Sequence, residues 1–396
     1  MFNINAKTMI QKIPLAWLQL TREKTRLIVA LAGIAFANIL MFMQLGFREA
    51  LFDGNVQFHN SLNGEIVIIN PQSDALLSMR TFSQRRLYQA LAIEEVASVH
   101  PIYVGFSSWR NPQTRELRSI QVIGFNPGFS ILNLPGLQQN LDNIKQPDVF
   151  LFDRGSRQEF GTIAADFEQG KAIATEVGGR TIRIGGLFQL GTSFGADGNL
   201  ITSDLNFFRL FNQEGRNLGL IDVGLIKLQP GANTEVVLEK LRSSITQTDV
   251  RILSKQEFID FEKSYWASST AIGFIFTLGT VMAFVVGTVI VYQILYGEIV
   301  DHLPEYATLK AIGYTQFYLL IVVFQQALIL ATLGYLPGFA FAMFQYNIVQ
   351  QETLLPIAMT LSRALLVLLL TVLMCSVSGA IAIRKLRAAD PADIFN

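Results

Sequence analysis

Of the 396 residues, 51% are hydrophobic and only 16% are charged, whereas soluble domains carry about a quarter charged residues. Lys and Arg balance Asp and Glu at 31 each, so no basic excess points to nucleic acid. A single cysteine and three histidines exclude a disulfide scaffold and a structural zinc site.

In chain order, the first segment, 1–26, is basic and amphipathic. Residues 13–24 (IPLAWLQLTREK) suit an interfacial helix opened by Pro14, with Trp17 at headgroup depth. A plain juxtamembrane linker is the alternative. Four stretches then carry no Asp, Glu, Lys or Arg: 27–47, 264–297, 311–351 and 364–383. A helix needs about 20 apolar residues to cross the hydrocarbon core, and the apolar parts define spans at 27–47, 269–295, 317–344 and 364–383. The first is too long for the apolar core of a signal peptide and lacks a small-x-small cleavage site, so it reads as a retained helix.

Between spans one and two lies a hydrophilic domain, 48–263. Strand-helix-strand patterns at 65–104 and 222–253 flank a β-rich middle with strands near 117–125, 148–152, 181–190 and 199–202. Its glycine-rich run, Gly178-Gly179 to Gly191, punctuates short strands. No GxxxxGK[ST], strand-coupled GxGxxG, HExxH or GxSxG motif occurs. His59 and His100 are isolated and Cys375 falls inside span four. We therefore expect no catalytic residue, no metal site and no cofactor, and a domain that binds or docks. The fold class is an α-helical membrane protein with four transmembrane helices plus a large α+β domain inserted between helices 1 and 2.

Lys7, Lys12, Arg22, Lys24 and Arg26 precede span one, and Arg384, Lys385 and Arg387 follow span four, in the tail 384–396. By the positive-inside rule both termini face the cytoplasm. The domain and the link 345–363 then lie outside, and the link 298–315 lies inside. Tyr265 and Trp266 sit before span two as interfacial aromatics. Small residues four apart, Gly33 and Ala37, Gly334 and Gly338, Ser376 and Ala380, permit close helix packing or a dimer face. They also match the general frequency of glycine in such helices. Pro337 lies within span three, where a kink is expected. No ionisable group sits mid-span, as a proton relay would require.

The cytoplasmic link contains Pro304, which can open a short helix with Glu305 near its positive end, and Gly313, which can close it. Its segment 305–313 (EYATLKAIG) resembles the E-x-x-T-L-[RK]-A-[LIM]-G signature of the FtsX/MacB-type permeases of ATP-binding-cassette (ABC) systems. The tail 384–395 (RKLRAADPADIF) is similar to that family's basic C-terminal run, and 15–33 resembles its interfacial helix entering the first span. The wording HLPEYATLKAIGY looks most like the DevC branch of cyanobacterial exporter permeases.

The resemblance implies a homodimeric, non-catalytic subunit of the inner membrane, driven by a separate cytoplasmic ABC ATPase. Pro304, Glu305, Thr308, Leu309, Lys310 and Gly313 would form the coupling contact. Leu309 would be the apolar knob, and Lys310 either pairs with the ATPase or is solvated. The domain would be a periplasmic MacB-like core engaging a periplasmic adaptor and, through it, a TolC-like outer-membrane protein. Its cargo would be a glycolipid or other amphipathic molecule, moved by mechanotransmission. The rival reading is an FtsX-like regulator of periplasmic cell-wall hydrolases.

Overall fold

The computed structural model describes residues 15–212, 216 and 219–388; Pro14 and the 389–396 part of the tail lie outside them. The chain divides into two compact units: Met1–Glu49 with Phe274–Val349 and Ile357–Asn396, and Ala50–Gly273 with Gln350–Pro356.

In chain order the helices and strands are α1 (Leu15–Arg22), α2 (Lys24–Asn55), α3 (Gln57–Ser61), β1 (Ile66–Ile69), β2 (Phe82–Ser83), α4 (Gln84–Gln89), β3 (Val96–Arg110), β4 (Leu117–Phe125), β5 (Val149–Asp153), α5 (Ile163–Glu168), β6 (Ala174–Val177), β7 (Arg180–Phe188), β8 (Asn199–Ser203) and α6 (Asp204–Phe211). They continue with β9 (Leu220–Ile221), β10 (Val223–Leu228), α7 (Thr234–Ser244), β11 (Arg251–Ser254), α8 (Lys255–Ser264), α9 (Ala271–Asp301), α10 (Leu303–Ala311), α11 (Gln316–Thr353) and α12 (Leu361–Ala388).

In the helical unit, α2, α9, α11 and α12 are each long and apolar enough to cross a membrane. All four outrun the expected spans: α2 begins at Lys24 and ends at Asn55, α9 continues to Asp301, α11 runs to Thr353, and α12 covers Leu361–Ala388. A helix that leaves hydrocarbon keeps its internal hydrogen bonds, so its end is set by caps and turns and not by the loss of apolar residues. The link expected at 345–363 is consequently helical in its first half. Pro337 lies inside α11, and the helix continues across it.

Small residues hold these helices together. A Cβ on Gly33 would stand 2.7 Å from Ile290, one on Gly334 2.6 Å from Ile34, and one on Gly338 2.8 Å from the Asn38 Cβ. Ala37 is buried, and a Cβ on Gly287 would stand 2.7 Å from its methyl carbon. Without a hydrophobic driving force between helices in lipid, such close backbone approach supplies the dispersion contacts that bind them. Ser376 is half-buried and Ala380 exposed, so these two face outward from the core formed by Ile34, Leu295, Val323 and Cys375.

The other unit is built on one nine-stranded sheet in the order β11-β1-β10-β3-β4-β8-β5-β7-β6. β1-α4-β3 straddles β10, and β10-α7-β11 straddles β1. The two strand-helix-strand units are therefore interleaved as split β-α-β units in one sheet, and the β-rich middle extends the same sheet beyond β3. Alternation along the strands explains the two faces. Ile66, Ile68 and Ile226 pack with Leu87 of α4 and Val237, Leu238 and Leu241 of α7. Val67, Ile69 and Leu225 pack with Phe58 of α3 and Phe258 of α8. The β6–β7 hairpin turns on Gly178 and Gly179, both at positive φ (55° and 77°), with Val177 paired to Arg180. A two-residue turn of this hand needs positive φ at both positions, which glycine adopts freely.

Candidate functional site

The short helix α10 is defined by its ends. Pro304 stands in its first turn, where a missing N–H costs nothing, and Glu305 is the acidic residue of that turn. At the other end the Tyr314 N–H donates to the Leu309 carbonyl at 3.0 Å and the Gly313 N–H to the Lys310 carbonyl at 3.1 Å, with Gly313 at φ +108°. That pair of bonds is a Schellman cap, and it requires a left-handed residue at Gly313.

α10 is tied to α1 by a polar cluster. The Gln19 side-chain amide donates to Glu305 Oε2 at 3.3 Å. Gln19 Oε1 accepts from the Tyr306 hydroxyl at 3.3 Å and from the Gln326 amide of α11 at 3.0 Å. Gln19, Tyr306 and Gln326 are all buried, and burial pushes the Tyr306 phenol up to about 12, so it remains a donor throughout the working pH range. At the exposed edge Arg22 pairs with Glu305 at 2.9 Å, and Arg26 pairs with Asp301 of α9. His302, also buried, sits with Nδ1 3.0 Å from the Glu298 carbonyl oxygen. Three helices thus share one glutamine, and α1 joins α10 through complementary donors and acceptors and not through apolar packing alone. Trp17 and Leu18 remain exposed on the other side of α1, at 45% and 52%.

The residues expected to make the coupling contact separate along this helix. Glu305 is engaged with Gln19 and Arg22. Pro304 and Thr308 are exposed, and the Thr308 hydroxyl donates back to the Pro304 carbonyl at 2.9 Å. Leu309 and Lys310 are half-buried, and Lys310 makes no ion pair among the described residues. The exposed large apolar side chain at this end is Ile312, at 71%. Sequence reasoning passed over Gln19, Tyr306, Gln326 and Ile312. The available signal was a glutamine in each of two apolar helical stretches, a residue type that is costly to bury unless paired.

Elsewhere, several buried polar groups are satisfied within the fold, although Asn38 Nδ2 and Asp222 Oδ1 have no hydrogen-bond partner among the described residues. Arg363 in the first turn of α12 donates to Glu49 of α2 and to the Ala358 carbonyl at 2.7 Å. Asn38 accepts from the Thr371 hydroxyl at 2.5 Å. Asp153 accepts from the N–H groups of Gly155, Leu190 and Gly191, each at 2.9 Å, and from Asn199 at 2.8 Å. Trp266, expected before span two, is buried, at 5%, and its indole donates to Glu262 at 2.9 Å, so its ring packs inside the fold. The hydrogen bond is the reason, because it holds the one polar atom of the ring away from water. Among the described residues no group of three His, Cys, Asp or Glu is placed to hold a metal ion.

A unit of four apolar helices joined to a large α/β domain, with a capped helix between the second and third, defines the class of protein. Within it, residues 266–391 match the FtsX-like permease C-terminal family model, a range that contains α9, α10, α11 and α12. Among solved structures, the periplasmic region of MacB from Actinobacillus actinomycetemcomitans is similar over 55% of this chain and 97% of its own, at 14% identity and a TM-score of 0.36. The extracellular domain of the noncanonic ABC-type transporter YknZ from Gram-positive bacteria aligns over 48% and 98%, at 11% identity and a TM-score of 0.33. A domain of a permease-type protein from Porphyromonas gingivalis aligns over 50% and 90%, at 12% identity and a TM-score of 0.31. No curated protein matches the chain.

Proposed function

We propose that this chain is the transmembrane permease subunit of an ABC-type exporter, driven by a separate cytoplasmic ATPase that docks on α10. The observation that carries the reading is the FtsX-like match over 266–391, the stretch that holds the capped helix with its exposed Ile312. A nucleotide-driven push on α10 would pass through Glu305 and Tyr306 to Gln19 on α1, and through the helices to the α/β domain on the periplasmic side. In this reading the chain works as a homodimer in the inner membrane with both termini cytoplasmic. The domain engages a periplasmic adaptor joined to a TolC-like outer-membrane protein, and the cargo is a glycolipid or similar amphipath, as in DevC-type systems. Pro304 and Gly313 set the ends of the coupling helix, Thr308, Leu309 and Lys310 border the docking face, and Ser376 with Ala380 offers an outward small-residue face for the second copy.

The test is co-purification with the ATPase from cells expressing both. Ile312→Asp and Leu309→Asp are expected to insert normally and to lose the ATPase, because a carboxylate buried in an apolar interface costs several kcal/mol, on the order of a hundredfold or more in affinity. Retained association and unchanged stimulation of ATP hydrolysis in both variants would refute docking at α10.

A further inference from the structure

We propose that the corner where α1 meets α2 binds an anionic phospholipid, whose phosphate competes with Glu305 for Arg22 while its acyl chains lie along Trp17 and Leu18. Three observations within the helical unit lead there. First, chain continuity fixes the depth of this corner. The charge-free stretch 27–47 rises about 31 Å as one helix, at about 1.5 Å per residue, and the hydrocarbon core is about 30 Å thick. The stretch therefore fills the core without slack. Lys24, where α2 begins, stands about 4.5 Å before it, inside a headgroup zone about 5–7 Å deep on each side. Arg22 ends α1 and is separated from α2 by Glu23 alone.

Second, the corner carries more positive charge than the fold pairs. Residues 1–26 hold five Lys and Arg against one acid, Glu23. Arg26 is taken up by Glu23 at 2.8 Å and by Asp301, whereas Lys24 is exposed and makes no ion pair among the described residues. The Arg22 side chain is 70% exposed and holds Glu305, itself 44% exposed, through one hydrogen bond at 2.9 Å. An exposed pair of this kind contributes little net stability, and the guanidinium fork suits a phosphate as well as a carboxylate. Glu305 keeps a donor through the exchange, since the Gln19 amide also reaches it at 3.3 Å.

Third, apolar side chains beside these cations face away from the bundle. Ala16, Gln19 and Leu20 are buried, whereas Trp17 and Leu18 on α1 and Ile28 and Val29 on α2 are exposed. Lipid is the occupant because it presents phosphate and hydrocarbon together at this depth, and a soluble acidic partner presents only the anion. Binding rests on α2 being a membrane span and needs no ATPase. The loosening of the tie between α1 and α10 that it causes bears on coupling through the docking proposed above.

The full chain is reconstituted in phosphatidylcholine vesicles doped with brominated phosphatidylglycerol or, at the same mole fraction, brominated phosphatidylcholine. The tryptophan quenching that disappears in Trp17→Phe belongs to Trp17. Both lipids should quench it, with a preference of about fivefold or more for the anionic one, the factor that a single Lys or Arg near the surface contributes. Raising the salt should shrink that preference, and Arg22→Gln with Lys24→Gln should remove it. Glu305→Gln should increase it, because Arg22 then has no competing carboxylate, and should change nothing in an Arg22→Gln background. Glu23→Gln, which takes an acid from Arg26 and not from Arg22, is the control. No preference in the native chain, or no quenching of Trp17 by either lipid, would overturn the site. An equal gain in Glu305→Gln and Glu23→Gln, or a gain that persists without Arg22, would reduce the binding to a diffuse field and overturn the exchange. An intact preference alongside retained ATPase association in Ile312→Asp and Leu309→Asp would refute docking at α10 and uphold the lipid site.

Discussion

At Arg363 the guanidinium has lost nearly all contact with water, at 4% side-chain exposure, and it leans on Glu49, on the Ala358 carbonyl and on the face of Tyr346. Removing one partner of a buried pair costs more than the pair contributes, because the survivor stays desolvated. Glu49 keeps 39% of its side-chain exposure, so Glu49→Ala should cost about 2 kcal/mol, below the roughly 3–5 kcal/mol of fully buried pairs. Thermal melting of the purified chain in detergent measures it, and Glu49→Leu with Arg363→Met should recover most of the loss. His100 offers a second test at this scale. It is buried beside Ser98 Oγ at 2.8 Å, and burial, then Lys227, lowers its imidazole below the ordinary value. A base with a depressed folded pKa leaves the unfolded chain binding more protons below about pH 6.5, so this contribution to stability is present above that value and is lost as the pH falls. The α/β domain should melt lower in mild acid than at neutral pH, and His100→Gln should flatten that dependence. An unchanged slope in the variant would assign the effect elsewhere.

Helices bear on one another here through points of contact that single glycines provide. Gly338 of α11 faces Asn38 and the Ala35 carbonyl, with a Cβ at 2.8 Å and 3.0 Å from them. Since the nearer contacts are a Cβ and a backbone oxygen, neither can swing aside. Gly338→Val should therefore push α11 from α2 and cost about 1–3 kcal/mol, read as a lower melting temperature, whereas Gly297→Ala, with open space around it, should not. For α10 the relevant element is the pair it forms with α1. Tyr306→Phe removes the hydroxyl that donates to Gln19, a loss of about 1 kcal/mol. If α1 and α10 move together under the proposed stroke, this variant should keep the ATPase bound yet lower transport-coupled hydrolysis. Full coupling in Tyr306→Phe would show that α1 is a passive anchor.

For the whole molecule, orientation is the property on which the proposal stands. An impermeant maleimide applied to intact cells should modify Leu91→Cys on the domain and spare Ile312→Cys beside α10, both of them exposed side chains in the fold (49% and 71%). Modification of Ile312→Cys from outside would reverse the topology and exclude a cytoplasmic ATPase at that helix. The purified chain alone should neither bind nor hydrolyse ATP, for it contains no phosphate-cradling P-loop sequence.

The charge-free stretches and the domain between the first two of them are legible from sequence, because excluding ionised groups from some twenty consecutive positions leaves an unmistakable compositional record. Pro304 and Gly313 are legible as helix ends for a similar reason, since ring closure and the lack of a Cβ restrict the backbone locally. The alternating strands of the domain are equally local, and Leu117–Phe125 coincides with its expected bounds. What the residues could not reveal one at a time is partnership. That β1 and β3 flank β10, that Gln19 serves Glu305, Tyr306 and Gln326 together, and that Trp266 turns inward to Glu262 are all contacts between distant positions. Helix and strand periodicity is set by backbone geometry within a few residues, whereas the choice of partner for a buried donor or for a β-strand edge is made only when the chain has closed on itself.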